Sequence, residues 1–466
     1  MNTKKTSSKF LADVNLRYSV VRPGGNDTCL IHGIIRDNQI RKQINDLIIQ
    51  THPNVEQVAF INNDPNSAEI LMAGGEFCGN ATRSAAWSIL EQNPNTNIEI
   101  TASGLEPGAK LQAGIDSQNN AWSQMPIKPE TKNIETINET THLVHLDGIS
   151  HLVIHSPNLA NTEINPESLK QESMELIKAH KLETLPAAGV IYYLEQDSKI
   201  QIHPVVYVSS IDTLFYESGC GSGTTALAMV KAIQEDKSQS QLEVFQPSEM
   251  PIIVDIEFDG KQFLGAKISG PVELLTTGQL VQVNGSYYTI DPIQTQSQLE
   301  EYLQNGLIES YQEAFKDAPY FEHFTAQQVQ EIFEDYLQTG ISFVLQNNKK
   351  VVGFSAAVPL EHSPQVKDHV QDHITQTQAW YMADLGVRKD HRGLGLSHHL
   401  VDIRIDHMPI NTQIVMRTSI NNHTSQNIYK SRGFDYLDQT LQEVSQVRQN
   451  QNTEIDTRLF MTKIKK

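Results

Sequence analysis

Cysteine and positive charge are both scarce in this sequence. Its 466 residues contain only Cys29, Cys78 and Cys220. Three such widely separated cysteines exclude a disulfide-stapled scaffold and a zinc site built on several thiolates. Against 55 Asp and Glu stand 36 Lys and Arg, so the formal net charge is −19. This balance disfavours nucleic acid and anionic membranes as partners, because little cationic surface is available to neutralise phosphate.

Long apolar runs are also missing. The N-terminus, MNTKKTSSKFLADVNLRYS, starts with basic residues but has no apolar stretch of signal-peptide length. No later segment approaches the roughly 20 apolar residues that a membrane span requires. We therefore expect a cytoplasmic protein with reduced thiols. At roughly 150 residues per domain, the length predicts about three domains or lobes.

The character of the chain changes near residue 290. Before that point, short apolar or alternating stretches predict strands, and two helices begin at Cys78 and Cys220. The polar segment PIKPETKNIETINETT separates these two strand–helix units. From about residue 290 onward, amphipathic helices, strands and a glycine turn before another helix predict a mixed α/β domain. The expected modules are residues 1–285, with lobes of about 1–130 and 140–285 and a return strand to the first lobe, and residues 290–466.

Two of the three cysteines open helices and are followed by glycine. A helix N-terminus stabilises a thiolate, so we expect the pKa of both thiols to be lowered. The same backbone N–H groups can bind a carboxylate, and the small residues there let it approach closely. Two thiols flanking one carboxylate can remove a proton from one face of an α-carbon and return one to the other. Cys29 lacks this pattern and is interpreted as a core residue, the usual place of a lone cysteine.

Three motifs carry a family resemblance. GGEFCGNATR (Gly74–Arg83), ESGCGSGT (Glu217–Thr224) and PGGNDT (Pro23–Thr28) resemble segments of the diaminopimelate epimerase family. The resemblance covers roughly residues 14–285. It implies an α+β fold with two pseudo-symmetric lobes, each a sheet barrel around a central helix, and epimerisation without a cofactor.

The resemblance also assigns roles to individual residues. Cys78 and Cys220 would form the catalytic acid–base pair, and Glu217 would hold the α-amino group of an amino acid. Asn26 and Asn80 would bind substrate. The backbone that would hold the α-carboxylate belongs to Gly79, Asn80, Gly221 and Ser222.

Three departures argue against diaminopimelate as the substrate. Ser218 replaces an arginine that binds its distal carboxylate, DGISH (Asp147–His151) replaces a GNPH-type segment, and Ala188–Gly189 replaces an asparagine. The remaining pattern is similar to the histidine racemases of opine-metallophore (staphylopine-type) pathways. Histidine is therefore a candidate substrate and metallophore biosynthesis a candidate context. His151 lies in an apolar predicted strand and is interpreted as structural.

The second module carries a phosphate-binding pattern. The run from Arg392 to Ser397 joins a strand to a helix, where successive N–H groups bind phosphate. It resembles the R-x-x-G-x-G/A loop of GNAT N-acetyltransferases, and NHTSQNIYKSRGF (Asn422–Phe434) resembles a later segment of that family. The resemblance implies an α/β GNAT domain that binds acetyl-CoA. The cofactor-binding residues would be Val387, Arg392, Gly393, Gly395, Ser397 and Asn422.

Two catalytic candidates accompany this loop. Tyr429 would protonate the departing CoA thiolate, and Asp384 would act as the general base, although a solvated acid at a strand end explains Asp384 equally well. His369 and His373 have the spacing of two metal ligands on one helix face. Without a third ligand or an HExxH context, we interpret them as surface histidines and predict no metal site.

The sequence therefore predicts a bifunctional enzyme, a cofactor-independent amino-acid racemase fused to an acetyl-CoA-dependent N-acetyltransferase. Acetylation of the inverted amino group would trap the D product, because it removes the ammonium that Glu217 expects. Two alternatives stay open: a GNAT domain that only binds acetyl-CoA or another protein, and a non-racemising isomerase of the same fold. A homodimer is one arrangement that the sequence leaves open.

Overall fold

The chain folds into two compact units. They are Leu16–Thr277 and a unit that contains Gly278–Lys466. The division falls ahead of residues 285–290, where the sequence places the boundary. The computed structural model describes residues 15–161, 163–197, 199–447 and 453–466. Among these residues, no helix is both long and apolar enough to cross a membrane.

Short strands dominate the first unit. In chain order they are β1 (Asn15–Pro23), β2 (Asp27–His32), β3 (Val55–Asn62), β4 (Glu69–Met72), β5 (Thr96–Ala102), β6 (Leu111–Ile115), β7 (Ala121–Gln124), β8 (Ile134–Asn138), β9 (Thr141–His145), β10 (Ser150–His155), β11 (Ala187–Gln196), β12 (Lys199–Val208), β13 (Thr213–Tyr216), β14 (Gln239–Phe245), β15 (Pro251–Phe258), β16 (Phe263–Gly270) and the start of β17 (Val272–Val283). The helices are α1 (Asn38–Thr51), α2 (Gly79–Ile89), α3 (Pro166–Ala179) and α4 (Gly221–Glu235).

The order of strand pairing repeats within this unit. In the first lobe, the pairs from β1/β2 to β6/β7 run antiparallel, parallel, antiparallel, parallel, antiparallel and antiparallel. The pairs β9/β10, β10/β11, β11/β12, β12/β14, β14/β15 and β15/β16 follow the same order. α1 and α3 hold equivalent places, as do α2 and α4. The two-lobed pseudo-repeat expected from the sequence is confirmed.

The central helix of each lobe is buried almost all round. α2 is built mainly from small residues, including Ala81, Ala85 and Ala86, which are fully buried. α4 buries Leu227 and Met229 in the same way. A helix that is apolar or small on every face is a core helix, and its small side chains let the surrounding strands pack close to its axis. The N-terminus of each helix is therefore fixed by the core of its lobe.

The second unit is a mixed α/β fold. After β17 its strands are β18 (Ser286–Pro292), β19 (Ile341–Asn347), β20 (Lys350–Pro359), β21 (Ala379–Val387), β22 (Gln413–Ser419), β23 (Asp435–Val447) and β24 (Thr453–Ile464). The helices are α5 (Gln296–Tyr302), α6 (Ile308–Lys316), α7 (Ala326–Thr339), α8 (Pro364–Val370), α9 (Leu396–His407) and α10 (His423–Lys430). Neighbouring strands pair antiparallel from β17 to β21, while β21 and β22 pair parallel. The expected α/β class is confirmed.

β21 and β22 separate part-way along their length. Their pairing runs from Ala379↔Gln413 to Met382↔Met416, although both strands continue beyond these residues. A bulge then places Ala383 and Asp384 of β21 opposite a single position of β20. A bulge re-aims the side chains of its strand. The two strands thus open a cleft directly after Met382.

We expect the α4 core to control the stability of the first unit. Leu227→Ala should lower the free energy of unfolding by about 2–5 kcal/mol, because Leu227 is 0% exposed and its loss leaves a cavity. Leu264→Ala is the matched control: Leu264 is 59% exposed, so its change should stay within about 0.5 kcal/mol. Urea unfolding of the full chain measures both, and equal effects would contradict the assigned core.

Candidate active sites

Each of the two cysteines caps the central helix of its lobe. Cys78 precedes α2 and its sulfur accepts the N–H of Ala81 at 3.4 Å, while Cys220 precedes α4 and accepts the N–H of Gly223 at 3.3 Å. Both cysteines have extended backbone, as residues at an N-cap do. They line one cavity of about 40 Å³, together with Gly79, Glu217, Gly221 and Ser222.

The glycine after each cysteine packs against the same isoleucine. A Cβ atom at Gly79 would lie 2.9 Å from Ile268 Cδ1, and one at Gly221 would lie 2.6 Å from it. Both distances are too short for a real contact, so any larger residue would push Ile268 aside. Ile268 is fully buried on β16. Ile268 therefore packs against both helix starts, and at Gly79 the Met125 sulfur lies closer still, 2.6 Å from the same Cβ position.

Gln57 connects the first thiol with the carboxylate of the second motif. The Cys78 thiol donates to Gln57 Oε1 at 3.0 Å, and Gln57 Nε2 donates to Glu217 Oε1 at 3.1 Å. The sequence analysis missed Gln57. The signal available there was the pair of adjacent polar residues, Glu56 and Gln57, inside the apolar strand VEQVAF.

The second thiol has different neighbours. Ser222 Oγ lies 3.5 Å from Cys220 Sγ and 2.9 Å from His151 Nε2. His151 is fully buried, and burial lowers its pKa to about 3, so its ring is neutral. Gly189 makes room for this ring, since a Cβ there would lie 2.3 Å from His151 Nδ1. The sequence analysis interprets His151 as structural. In the structure it contacts the Cys220 thiol indirectly, through the hydroxyl of Ser222.

Asn26 and Asn80 do not line the cavity. Asn80 Nδ2 donates to Asn26 Oδ1 at 3.0 Å and to the Gly219 carbonyl at 3.2 Å, while Asn80 Oδ1 accepts from Arg83 Nε at 3.1 Å. Both asparagines are buried. In this structure they tie the start of α2 to the segment before Cys220, and their direct contact with substrate stays a prediction.

Three carboxyl groups share the cavity with the thiols. The pKa of Glu56 is raised to about 8, mainly by burial and also by the charge of Glu217, while two hydrogen bonds from the Ser218 N–H act in the opposite direction. Burial also raises the pKa of Glu76 to about 7 and that of Glu217 to about 7. The site is therefore poorly solvated and rich in acidic groups, which suits a ligand that carries positive charge.

The expectation of lowered thiol pKa values is wrong in this structure. The pKa of Cys78 is raised to about 12, mainly by burial and also by the neighbouring charges of Glu217 and Glu76. Burial and Glu217 likewise raise the pKa of Cys220. The backbone N–H bonds act in the expected direction, but desolvation of a thiolate outweighs them.

The second unit contains a larger cavity, of about 730 Å³. It is lined by every residue that the sequence assigned to the acetyl-CoA site, namely Asp384, Val387, Arg392, Gly393, Gly395, Ser397, Asn422 and Tyr429. Gly393 and Gly395 both have φ of +78°, a conformation that favours glycine, and open space lies where their side chains would be. Within the described chain, no side chain caps α9, so its first N–H groups face this space.

Buried partners fix the two catalytic candidates of this cavity. Asp384 Oδ2 accepts the hydroxyls of Tyr311 and Tyr336, each at 2.7 Å. The Tyr429 hydroxyl accepts from Arg404 Nη2 at 2.8 Å, and Arg404 is itself fully buried. The sequence analysis missed Arg404 and both tyrosines, because each lies on a helix whose pattern is that of ordinary packing.

The histidines considered as metal ligands have other contacts. His373 Nε2 lies 3.0 Å from Thr440 Oγ1, and the ring of His369 stacks on Phe460. Across the described ranges, no group of three or more His, Cys, Asp and Glu side chains is placed to hold a metal ion.

Comparison with known proteins assigns the chain to a family. Residues 15–281 match the family described as the histidine racemase CntK N-terminal domain, which is more than half of the chain. The chain belongs to this histidine racemase family. Residues 301–434 match the acetyltransferase (GNAT) family. The chain is therefore an enzyme with a racemase part and an acetyltransferase part.

Individual relatives match the racemase part. A histidine racemase of Fusobacterium nucleatum is 30% identical over 57% of this chain and 97% of its own length. A histidine racemase of Staphylococcus aureus is 28% identical over 57% of this chain and 97% of its own. Among solved structures, a hydroxyproline epimerase from Agrobacterium vitis covers 57% of this chain and 92% of its own, with 12% identity and a TM-score of 0.42.

The buried carboxylates of the racemase site should cost stability at high pH. Because the folded state raises the pKa of Glu56 from 4.5 to about 8, it holds the proton more tightly than the unfolded state. The free energy of unfolding of the wild type therefore falls as the pH rises from about 4.5 to about 8. Glu56→Gln stays neutral and should exceed the wild type by about 1–3 kcal/mol at about pH 9, but match it closely at about pH 4.

Urea unfolding at both pH values measures this difference. Glu257→Gln, at an exposed position of β15, is the control and should show no pH-dependent gain. A gain from Glu56→Gln of the same size at both pH values would contradict a protonated Glu56 in the folded state.

Proposed function

We propose that the racemase part inverts amino acids at Cα with Cys78 and Cys220 as the acid–base pair and without a cofactor. The observation that carries this proposal is the placement of both thiols, each at the start of a buried helix, on one small cavity with Glu217. Histidine is the proposed substrate, because the relatives that match this part of the chain are histidine racemases.

The site groups suggest how an amino acid is held. Its α-carboxylate accepts from the backbone N–H groups that follow Cys78 and Cys220, at the positive ends of α2 and α4. Its ammonium pairs with Glu217. Because Glu217 is the neighbour whose charge raises the pKa of both thiols, pairing it with an ammonium favours a thiolate.

Inversion then needs only one proton transfer on each face of Cα. One thiolate takes the Cα proton, so the C–H bond breaks and an S–H bond forms. The electron pair left on Cα is stabilised by the adjacent carboxylate, itself held by the helix N–H groups. The opposite thiol donates its proton to the other face and becomes the thiolate. Gln57 and Ser222 would orient the two sulfur atoms.

We also propose that the second unit transfers an acetyl group from acetyl-CoA to an amine. The N–H groups at the start of α9, with Arg392, would hold the pyrophosphate, and the open space at Gly393 and Gly395 fits its close approach. Asp384 would take the proton of the amine, and Tyr429 would give one to the CoA thiolate. Buried tyrosine and arginine partners already fix both groups.

Substitution of each cysteine tests the two-base mechanism. Cys78→Ala and Cys220→Ala should each lower racemisation of L- and D-histidine by at least about 10³-fold, because each removes one of two obligatory proton carriers. Cys29→Ala is the control and should retain racemisation, because Cys29 lies on β2 outside the cavity. Circular dichroism follows the racemisation, and deuterium incorporation at Cα in D₂O measures proton transfer directly. A fully active variant at either site cysteine would contradict the mechanism.

Asp384→Asn tests acetyl transfer against mere acetyl-CoA binding. The variant should keep the affinity for acetyl-CoA within about 3-fold, because the pyrophosphate loop is untouched, and lower kcat for acetyl transfer by about 10²–10⁴-fold. Calorimetry measures binding, and mass spectrometry of the acetylated amine measures turnover. Binding by the wild type without turnover on any amine would favour the non-catalytic alternative.

A further inference from the structure

The cavity of the second unit contains an arginine without an acidic partner. Arg417 lines the cavity from β22, and its guanidinium lies 5.9 Å from the centre of the Tyr381 ring. One of its N–H groups donates to Gln442 at 2.8 Å. In the part of the chain that the structure describes, no carboxylate lies within 4 Å of its nitrogens. Arg417 is half-buried, and a cation in such a position usually has a counter-ion. Because Arg417 lacks one, its remaining N–H groups can bind an anion that enters the cavity.

Three arginines line the cavity. Arg392 belongs to the proposed pyrophosphate loop, and Arg458 is already neutralised. Arg458 lies 2.5 Å from Asp456 and 3.8 Å from Glu322, and its guanidinium stacks over Tyr320. Its two carboxylates leave it little affinity for a further anion. The contrast makes Arg417 the cavity group suited to bind a carboxylate in the planar, bidentate manner of a guanidinium.

Tyr381, Asp384 and Arg417 line the same cavity, and the charges of both Arg417 and Asp384 act on Tyr381. Burial raises the pKa of Tyr381, the charge of Arg417 lowers it, and the charge of Asp384 raises it. Both charges therefore act on one hydroxyl. The two tyrosine hydroxyls bonded to Asp384 Oδ2 hold this carboxylate in place beside the point where β21 and β22 separate.

We infer that the amine acetylated in this cavity belongs to a free amino acid, whose carboxylate binds Arg417 and whose amino group faces Asp384. This inference rests on the proposed acetyltransferase function. The amine nitrogen forms a C–N bond with the thioester carbonyl, and the C–S bond breaks. The amine loses its proton to Asp384 and the leaving thiolate is protonated. The product of the racemase part belongs to this class of acceptor.

Paired acceptors test the inference on the full chain. Each amino acid, as both enantiomers, is compared with its carboxamide, and spermidine serves as an amine without a carboxylate. Released CoA and acetylated product are measured at saturating acetyl-CoA. Free amino acids should exceed their carboxamides in kcat/KM by at least about 10-fold, the typical value of one charge-assisted pair.

Substitution at Arg417 should act on the carboxylate alone. Arg417→Gln should lower kcat/KM for free amino acids by about 10–100-fold, mainly through KM, and change it for carboxamides by less than about 2-fold. Arg417→Lys should fall between, since it keeps the charge but loses the planar fork. Lys349→Gln removes a surface cation paired with Glu301 and should match the wild type.

The remaining outcomes separate the two proposals. Acetylation of carboxamides or spermidine as fast as free amino acids would overturn the acceptor class while acetyl transfer stands. An equal loss by Arg417→Gln on amino acids and carboxamides would reduce Arg417 to a structural role and also overturn it. If no amine in the panel is acetylated, the acetyltransferase function itself is contradicted, and the inference with it.

Discussion

Desolvation of one small cavity is the constraint on which the racemase site depends. Two thiols and three carboxyl groups line about 40 Å³ of space, and burial raises the pKa of each. A group that ionises there must be stabilised by a partner of opposite charge, and the backbone dipoles of α2 and α4 supply only part of that stabilisation. In the proposed mechanism, an amino-acid zwitterion would supply the rest, because its ammonium would pair with the acidic groups and its carboxylate with the helix N–H groups.

The pseudo-repeat explains how one chain holds such a site. Because the strands of both lobes pair in the same order, each lobe contains a core helix whose first turn is buried and fixed in position. Ile268 touches both glycines that follow the cysteines, and Asn80 bonds across to Gly219. These contacts leave no room for larger side chains at the helix starts. The backbone at the two helix starts is thus positioned by packing within the racemase part and not by loops.

Much of this could be predicted from residues alone, for identifiable reasons. Helix starts with small residues and a cysteine are local signals, and so are the glycines of the loop before α9. The structure brings all eight predicted residues of the acetyl-CoA site onto one cavity. What the sequence could not supply is distance across the fold. Gln57 reaches Glu217 across 160 residues, and Tyr336 reaches Asp384 across 48. The sequence analysis gave the wrong direction for the pKa shifts of the two thiols, because the depth of burial, unlike a helix start, has no local signal in the sequence.

The two thiols of the racemase part are chemically unlike. Cys78 donates to an amide oxygen, whereas Cys220 lies against a hydroxyl backed by a neutral imidazole. Enantiomers of a free amino acid have equal free energy, so the equilibrium constant between them is unity. In the proposed two-base mechanism, any advantage that one thiol has as a base must then be offset by a difference in binding of the enantiomer on which it acts. The asymmetry of the two lobes can therefore be seen in kcat and in KM for each enantiomer. It cannot be seen in kcat/KM, which is equal for the two enantiomers.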